Sequence, residues 1–472
     1  MLTRSVLRMT RVAIIGSGIT GLASAHFLHR HVDLTLFEEE SRLGGHANTV
    51  TVNDLTQGPL AIDTGFMVFN QTTYPLLTRL FQELRVPIKP ASMSFSVRDD
   101  VTGLEWCGSS LNHLFSQRRN LFNLRFWRML RQIGRFNREA VSALNDRSVT
   151  DLTLREYVEE RDYGEDFCRL YLLPMSSAVW SAPPAQMMAF PASTLLRFFF
   201  NHGFLGLHTQ HPWWTVDGGS REYVARISAP WKGRVQLACA ARKLTRSPRG
   251  VWVESVDGVR EHFDQVIVAT PADRALAMLE EPSAEEARVL SAFRYQPNLA
   301  TLHSDERVMP RADRAWASWN YRLNLSHDSN ETPATHYWMN QLQGLPGERN
   351  YFVSINGANT IDPAKVAQRI AYRHPLFDLE AVRAQDRLCA LNVHALHGTQ
   401  TFFGGAYARY GFHEDGLQSA YIIASLLLGR EPWPQADLAE AVAAATNEGA
   451  GARITAGASL TAAMSAAETS AP

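Results

Sequence analysis

The stretch Val12-Ala13-Ile14-Ile15-Gly16-Ser17-Gly18-Ile19-Thr20-Gly21 decides the fold. A short apolar run ends in three glycines spaced G-x-G-x-x-G. A helical pattern follows at once through Leu22, Ala25, Phe27 and Leu28. Strand, tight turn and helix is the context in which this spacing carries meaning. Gly16 permits the sharp turn out of the strand. Gly18 lets the backbone approach a pyrophosphate, and Gly21 lets the helix pack close to the strand. The helix then points free N–H groups and the positive end of its dipole at the phosphates. Ser17 and Thr20 lie inside the turn and join the glycines as candidate contacts.

Working outward, a second strand, Asp33-Leu34-Thr35-Leu36-Phe37, ends at Glu38. An acidic residue about 20 positions after the glycines is where a ribose hydroxyl is bound. The bland reading of Glu38, a solvated strand end, is weakened by the glycines before it. The continuation Glu38-x-x-x-Arg42-x-Gly44-Gly45 is not shared by all dinucleotide sites. It resembles the two-domain flavoproteins that include the amine oxidases, protoporphyrinogen oxidase and the carotenoid desaturases. The resemblance implies FAD as cofactor, with Arg42, Gly44 and Gly45 along its diphosphate. Amine oxidases usually carry arginine after the glycine pair; this chain has His46, which can bond a phosphate or the ribityl chain, or simply pack.

A chain of 472 residues is long for one core and suggests two interleaved domains. A net charge of −1, with no basic block, gives no argument for nucleic acid. Cys107, Cys168, Cys239 and Cys389 are scattered, as buried free thiols in a reducing compartment would be. No secretory signal and no membrane-length apolar run is evident. The expectation is a cytoplasmic protein, with room for peripheral contact at the inner face of the membrane. Nothing in the residue spacing argues for a metal.

Further along, Ile62-Asp63-Thr64-Gly65-Phe66 contains an Asp-x-Gly, and Gly65 suits a close backbone approach. The family resemblance puts Thr64, Gly65 and Phe66 beside the flavin ring. From Tyr74 to about His211 the sequence turns helical and greasy, and it resembles the cap over the flavin. Within it, Arg118, Arg119, Arg125, Arg128, Arg131 and Arg135 interleave with Leu121, Phe122, Phe126, Trp127 and Leu130. Such a cationic face is usually just solvated; a membrane-surface role is the alternative. A β-meander runs through Ala241-Arg242-Lys243-Leu244 and Val251-Trp252-Val253. The resemblance implies that the Ala241 backbone reads the adenine. The segments 317–323, 335–341 and 351–355 alternate as antiparallel strands of a pocket floor. Their inward side chains include Trp319 or Tyr321, Trp338 or Asn340, and Phe352. Lys365 falls in a stretch read as helical. A last strand, glycine turn and helix, from Thr401 through Gly404 and Gly405 to Glu414-Asp415-Gly416, forms a second cradle. By resemblance Gly405, Glu414, Asp415 and Gly416 meet the ribityl chain and the pyrimidine edge.

The fold expected is α/β: a Rossmann-type FAD-binding domain, with parallel sheet and meander, interleaved with an α+β substrate domain with a mixed or antiparallel sheet and helical cap. Residues 1–73, 212–271 and 401–434 form the first; 74–211 and 272–400 form the second; 435–472 is expected to be a disordered tail. Several stretches, among them Gly45-His46-Ala47-Asn48-Thr49, Trp316-Ala317-Ser318-Trp319-Asn320-Tyr321 and Gly411-Phe412-His413-Glu414-Asp415-Gly416, resemble a bacterial group of NAD/FAD-binding, amine-oxidase-like proteins. Genes of that group often neighbour cyclopropane-fatty-acid-synthase-like methyltransferases. By analogy this implies a partner methyltransferase and a hydrophobic, lipid acyl substrate giving a hydride to flavin N5. No catalytic side chain is assigned. Related amine oxidases often place a lysine near flavin N5, and none of Lys89, Lys232, Lys243 and Lys365 matches. Trp213, Trp214, Trp319 and Tyr407 are candidates for an aromatic cage around an amine. The readings held against the lipid one are amine oxidation, carotenoid- or porphyrinogen-type desaturation, and a non-catalytic flavin protein.

Overall fold

A computed structural model describes residues 9–144, 146–206, 209–323 and 333–433. The tail expected at 435–472 lies outside them. Arg11–Ile15 is the central strand of a five-stranded parallel sheet, flanked by Gln265–Val268 and Asp33–Phe37, with Thr401–Phe403 and Val235–Gln236 outermost. Alternate side chains of the central strand enter different cores, because a strand's side chains alternate between faces. Val12 and Ile14 join the helices Ile19–Leu28 and His413–Leu428. Ala13 and Ile15 join the meander and the helices Ala284–Ser291 and Leu379–Ala395. Burial on both faces is why the run reads as continuously apolar rather than alternating. The meander is Ala241–Ser247, Gly250–Ser255 and Arg260–Phe263.

The second sheet has seven strands in the order Val366–Leu376, Arg294–His303, Phe352–Ile355, Ala334–Trp338, Trp319–Leu323, Phe95–Asp99 and Leu104–Cys107. All neighbours are antiparallel except Trp319–Leu323 with Phe95–Asp99. Register sorts its faces. Val353, Tyr337 and Trp319 stand opposite one another and pack with Leu60, Ile62 and Met67. Tyr321, on the same face, packs against the cap helices. Ser354, His336, Asn320 and Ser96 form the neighbouring row on the other face. Phe352 and Trp338 pack there with Trp316 and Met309, so neither lies on the pocket side as expected. Asn340 leaves the sheet in a short helix and bonds the Arg349 carbonyl.

Lys365 closes a 3₁₀ turn rather than sitting in a helix, and an eleven-residue edge strand follows it. Pairing along the whole of Arg294–His303 overrides the local pattern there. Three helices also cross the expected domain boundaries. Pro75–Glu83 packs on the nucleotide-binding side, and Ala284–Ser291 and Leu379–Ala395 cover the back of the parallel sheet.

One buried carboxylate ties three separate segments together. Asp63 accepts from the Thr49 hydroxyl, the Ser220 amide and hydroxyl, and the Gln343 side-chain amide, all within 3.0 Å. Burial pushes its carboxyl up to about 6, and these four donors hold it from going further. Removing it strands several buried donors, which costs far more than one exchanged hydrogen bond. Asp63→Ala is expected to lose about 3–5 kcal/mol of stability in urea unfolding. A loss under 1 kcal/mol would mean that the hub is not a structural tie.

Candidate active site

The site is built where backbone approaches backbone. Gly16 leaves the central strand with φ +97°, and a Cβ there would stand 2.8 Å from the Ala269 carbonyl oxygen. This is the carboxyl end of the parallel sheet, where the chain's crossovers switch sides and ligands bind. A Cβ on Gly21 would fall 1.8 Å from the Gly16 carbonyl oxygen, so helix and strand close only with glycine. Gly45, at φ +56°, sits with its own missing Cβ 3.1 Å from the Gly18 α-carbon. The Gly44 amide meets both the carbonyl and the hydroxyl of Ser17. Gly18 itself faces open space, with nothing within 4 Å of where its side chain would be. The helix that begins after Gly18 has no side-chain cap and no acid in its first turn. An open groove in front of unpaired helix amides is the arrangement that receives a phosphate.

At one end of this groove, Glu38 accepts from the Ser17 amide at 2.7 Å and the Glu40 amide at 2.8 Å. A carboxylate has lone pairs beyond those two for a ribose hydroxyl. The Cys239 amide bonds the Glu38 carbonyl, which sets Ala241 at the start of the meander beside it. Arg42 donates to the Gly45 carbonyl at 2.9 Å and the Ala47 carbonyl at 3.4 Å. Its guanidinium holds the glycine loop in shape.

The distant C-terminal cradle closes onto the first one. Thr20 donates its hydroxyl to the Gly416 carbonyl at 2.8 Å. A Cβ on Gly416 would meet Ile19 at 2.7 Å, and one on Gly404 would meet Ser419 and Thr20. The Gly405 amide bonds the Ser419 hydroxyl. Glu414 and Asp415 lie beside Gly416 with their side chains on helix ends. Glu414 accepts from the Leu76 and Leu77 amides, at 2.9 Å each, capping the helix Pro75–Glu83. Asp415 accepts from the Phe412 amide and caps its own helix. Of this trio, Gly416 is the residue brought against the glycine turn; the two acids hold helix ends.

Beyond the groove lies a set of neutral rings. Gly65 presses on the His46 carbonyl, and the Phe66 amide bonds that same oxygen at 2.8 Å. His46 stacks on Tyr372 at 4.8 Å and lies 5.3 Å from His374. Its Nε2 is buried with no hydrogen-bond partner. Thr64 bonds the Tyr372 hydroxyl. Phe66 stacks on His413 at 3.8 Å, and His413 Nε2 meets the Tyr223 hydroxyl at 3.0 Å. Burial pulls the histidines down, His46 to about 4 and His374 and His413 to about 3. All three are therefore neutral at pH 7. Tyr372, His374 and Tyr223 escaped the sequence reading, because Tyr372 and His374 lie on an edge strand with no local motif.

The aromatic cage expected for an amine does not assemble. Tyr407 packs on Phe293 behind the parallel sheet, Trp213 and Trp214 lie in the nucleotide-side core, and Trp319 is on the floor of the other sheet. The lysines stand elsewhere too. Lys89, Lys243 and Lys365 pair with Asp217, Glu280 and Asp305, and Lys232 sits in a surface turn.

Converging glycine turns around an open groove, beside a parallel sheet and under a capped mixed sheet, define a two-domain dinucleotide-binding flavoprotein. Residues 19–370, well over half of the chain, match the model of the flavin-containing amine oxidoreductase family. The chain belongs to that family. Among curated proteins it is 25% identical over 307 residues to AofH of Mycobacterium tuberculosis, described as a flavin-containing monoamine oxidase; the match spans 62% of this chain and 64% of that one. Among solved structures, cyclohexylamine oxidase from Brevibacterium oxydans superposes with TM-score 0.61 at 15% identity, over 89% of this chain and 100% of that one. Putrescine oxidase bound to putrescine gives 0.60 at 13%, over 89% and 99%. A fatty acid isomerase from P. acnes, producing CLA, gives 0.62 at 12%, over 87% and 97%. At such identities these structures share the fold.

Two outcomes follow from the geometry. Glu38→Ala removes a carboxylate that orders two amides and faces the ribose end of the groove. FAD affinity, read by flavin fluorescence titration, is expected to fall on the order of 10- to 100-fold; unchanged affinity would remove Glu38 from the site. The second concerns pH. Burial raises Glu414 from 4.5 to about 8. The folded chain therefore keeps this proton while the unfolded chain releases it. The resulting stabilisation is complete below pH 4.5 and is lost as pH rises through 8. Glu414→Gln lacks that decline. Its thermal midpoint should climb relative to the native chain between pH 5 and 8, and parallel curves would refute the assignment.

Proposed function

We propose that the chain is an FAD-dependent oxidoreductase that oxidises a neutral, hydrophobic substrate, with a lipid acyl chain as the class that suits it best. The observation that carries this reading is the set of uncharged rings packed beside the groove. Its three histidines are held uncharged by burial. The nearby carboxylates, Asp63, Glu414 and Asp415, are fully buried and occupied by backbone or side-chain donors. A substrate ammonium placed there would be desolvated beside neutral histidines, while the nearby carboxylates are already engaged by protein donors, at a cost of several kcal/mol. An acyl chain pays no such cost and gains from the burial of apolar surface.

Bound FAD supplies the hydride acceptor. The chain's residues do the rest. The glycine turns and Glu38 hold the nucleotide. The cap helices exclude water from the chamber. Asn298 donates to His374 Nδ1 at 2.8 Å, which leaves the ring proton on Nε2. Tyr223 orients His413 through its hydroxyl. These neutral groups can fix a polar head or a double bond without adding charge. The shared fold with a fatty acid isomerase supports the reading.

Amine oxidation is the second reading, favoured by the resemblance to AofH and by the fold shared with putrescine and cyclohexylamine oxidases. Anaerobic titration of the yellow protein separates the two. Extracted lipids or a free fatty acid should bleach the flavin absorbance, with an acyl product in the mass spectrum. Bleaching by putrescine or cyclohexylamine, and by no lipid fraction, would overturn the lipid reading.

A further inference from the structure

From Glu105 to Glu139 the chain holds no acidic residue and seven arginines: 118, 119, 125, 128, 131, 135 and 138. The structure gathers this stretch at one corner of the cap. Arg118–Phe122 is a 3₁₀ turn, and the helix Leu124–Ala143 follows it directly. Asn123 joins them, its side-chain oxygen accepting from the Arg125 and Phe126 amides. The helix buries Phe126, Met129, Phe136, Ala140 and Ala143 against the cap core. That face is spent on folding.

What remains outside is unusual in both charge and hydrophobicity. Phe122 is 88% exposed and Leu124 is 80% exposed, on either side of the helix cap. Leu111, Leu121 and Trp127 are exposed beside them. The Trp127 ring is tied down, its Nε1 donating to the Leu121 carbonyl at 2.9 Å. Single exposed apolar residues need no explanation, but a contiguous group at a rigid corner does. Around it, Arg118, Arg119, Arg128, Arg131 and Arg138 are exposed, and no carboxylate of the described residues pairs with them. Arg125 pairs with Asp166, and Arg135 with Glu139.

We propose that this corner docks the protein on an anionic lipid surface, with Phe122, Leu124 and Trp127 entering the headgroup layer and the arginines meeting lipid phosphates. Arginine around an aromatic and aliphatic tip is the composition of an interfacial anchor. A nucleic acid would meet the same cations, but it offers no apolar layer for Phe122 and Leu124. The docking does not depend on which substrate the flavin site takes.

The FAD-loaded full chain should co-sediment with vesicles of equimolar phosphatidylglycerol and phosphatidylcholine, and not with phosphatidylcholine alone. Each arginine near such a surface contributes about fivefold in affinity, so Arg128→Ala/Arg131→Ala should weaken binding roughly 25-fold. Phe122→Ser/Leu124→Ser should leave an association that high salt abolishes, whereas the native chain stays partly bound. Flavin absorbance and thermal midpoint serve as the check that each variant folds. The proposal fails if the native chain ignores anionic vesicles, if both variants bind as it does, or if the chain binds RNA or DNA and no vesicle.

Discussion

A hydroxyl on the first helix holds a carbonyl nearly the whole chain away. Thr20 to Gly416 spans 396 positions in sequence and 2.8 Å in space. Around it the first and last described helices pack side by side, and a Cβ on Gly416 would strike Ile19 of the first. This contact converts two ordinary glycine turns into one continuous groove. A nucleotide with two phosphates needs backbone donors along its length, and only chain segments from both ends can line it together.

The same economy of buried charge governs the rest of the interior. Asp63 gathers four donors from three separate segments, and Glu414 accepts from the Leu76 amide, 338 positions earlier. Each carboxylate is satisfied by geometry rather than by a cation. The histidines nearby are kept neutral by the same burial. The proposed preference for a neutral substrate rests on this arrangement. Charge is instead exported to the surface, where the arginine-rich corner of the cap faces water with its apolar tip.

Much of this was legible in the chain. The glycine spacing, Glu38, the Gly44-Gly45 pair and the C-terminal Gly-Gly turn carry their own steric reason, so they can be recognised one at a time. The amphipathic helix from Leu124 announced itself by period, and its unpaired arginines by the absence of acids over the same stretch. What could not be read were residues whose role depends on a partner far off. Glu414 has a structural role that no local pattern names. It is a helix cap because Leu76 and Leu77 happen to lie across from it. Trp338 and Phe352 alternate correctly, yet register sends them to the far face.

Sequence by itself therefore determined the local backbone: where the strand must turn, which helix ends lie open, and that a dinucleotide belongs there. Those features follow from sterics within a few residues. Tertiary structure alone decided which carboxylates are spent, which histidines are neutral, and that Tyr372 and His374 reach the groove from an edge strand. Burial and pairing across hundreds of residues set those properties, and no local pattern encodes either.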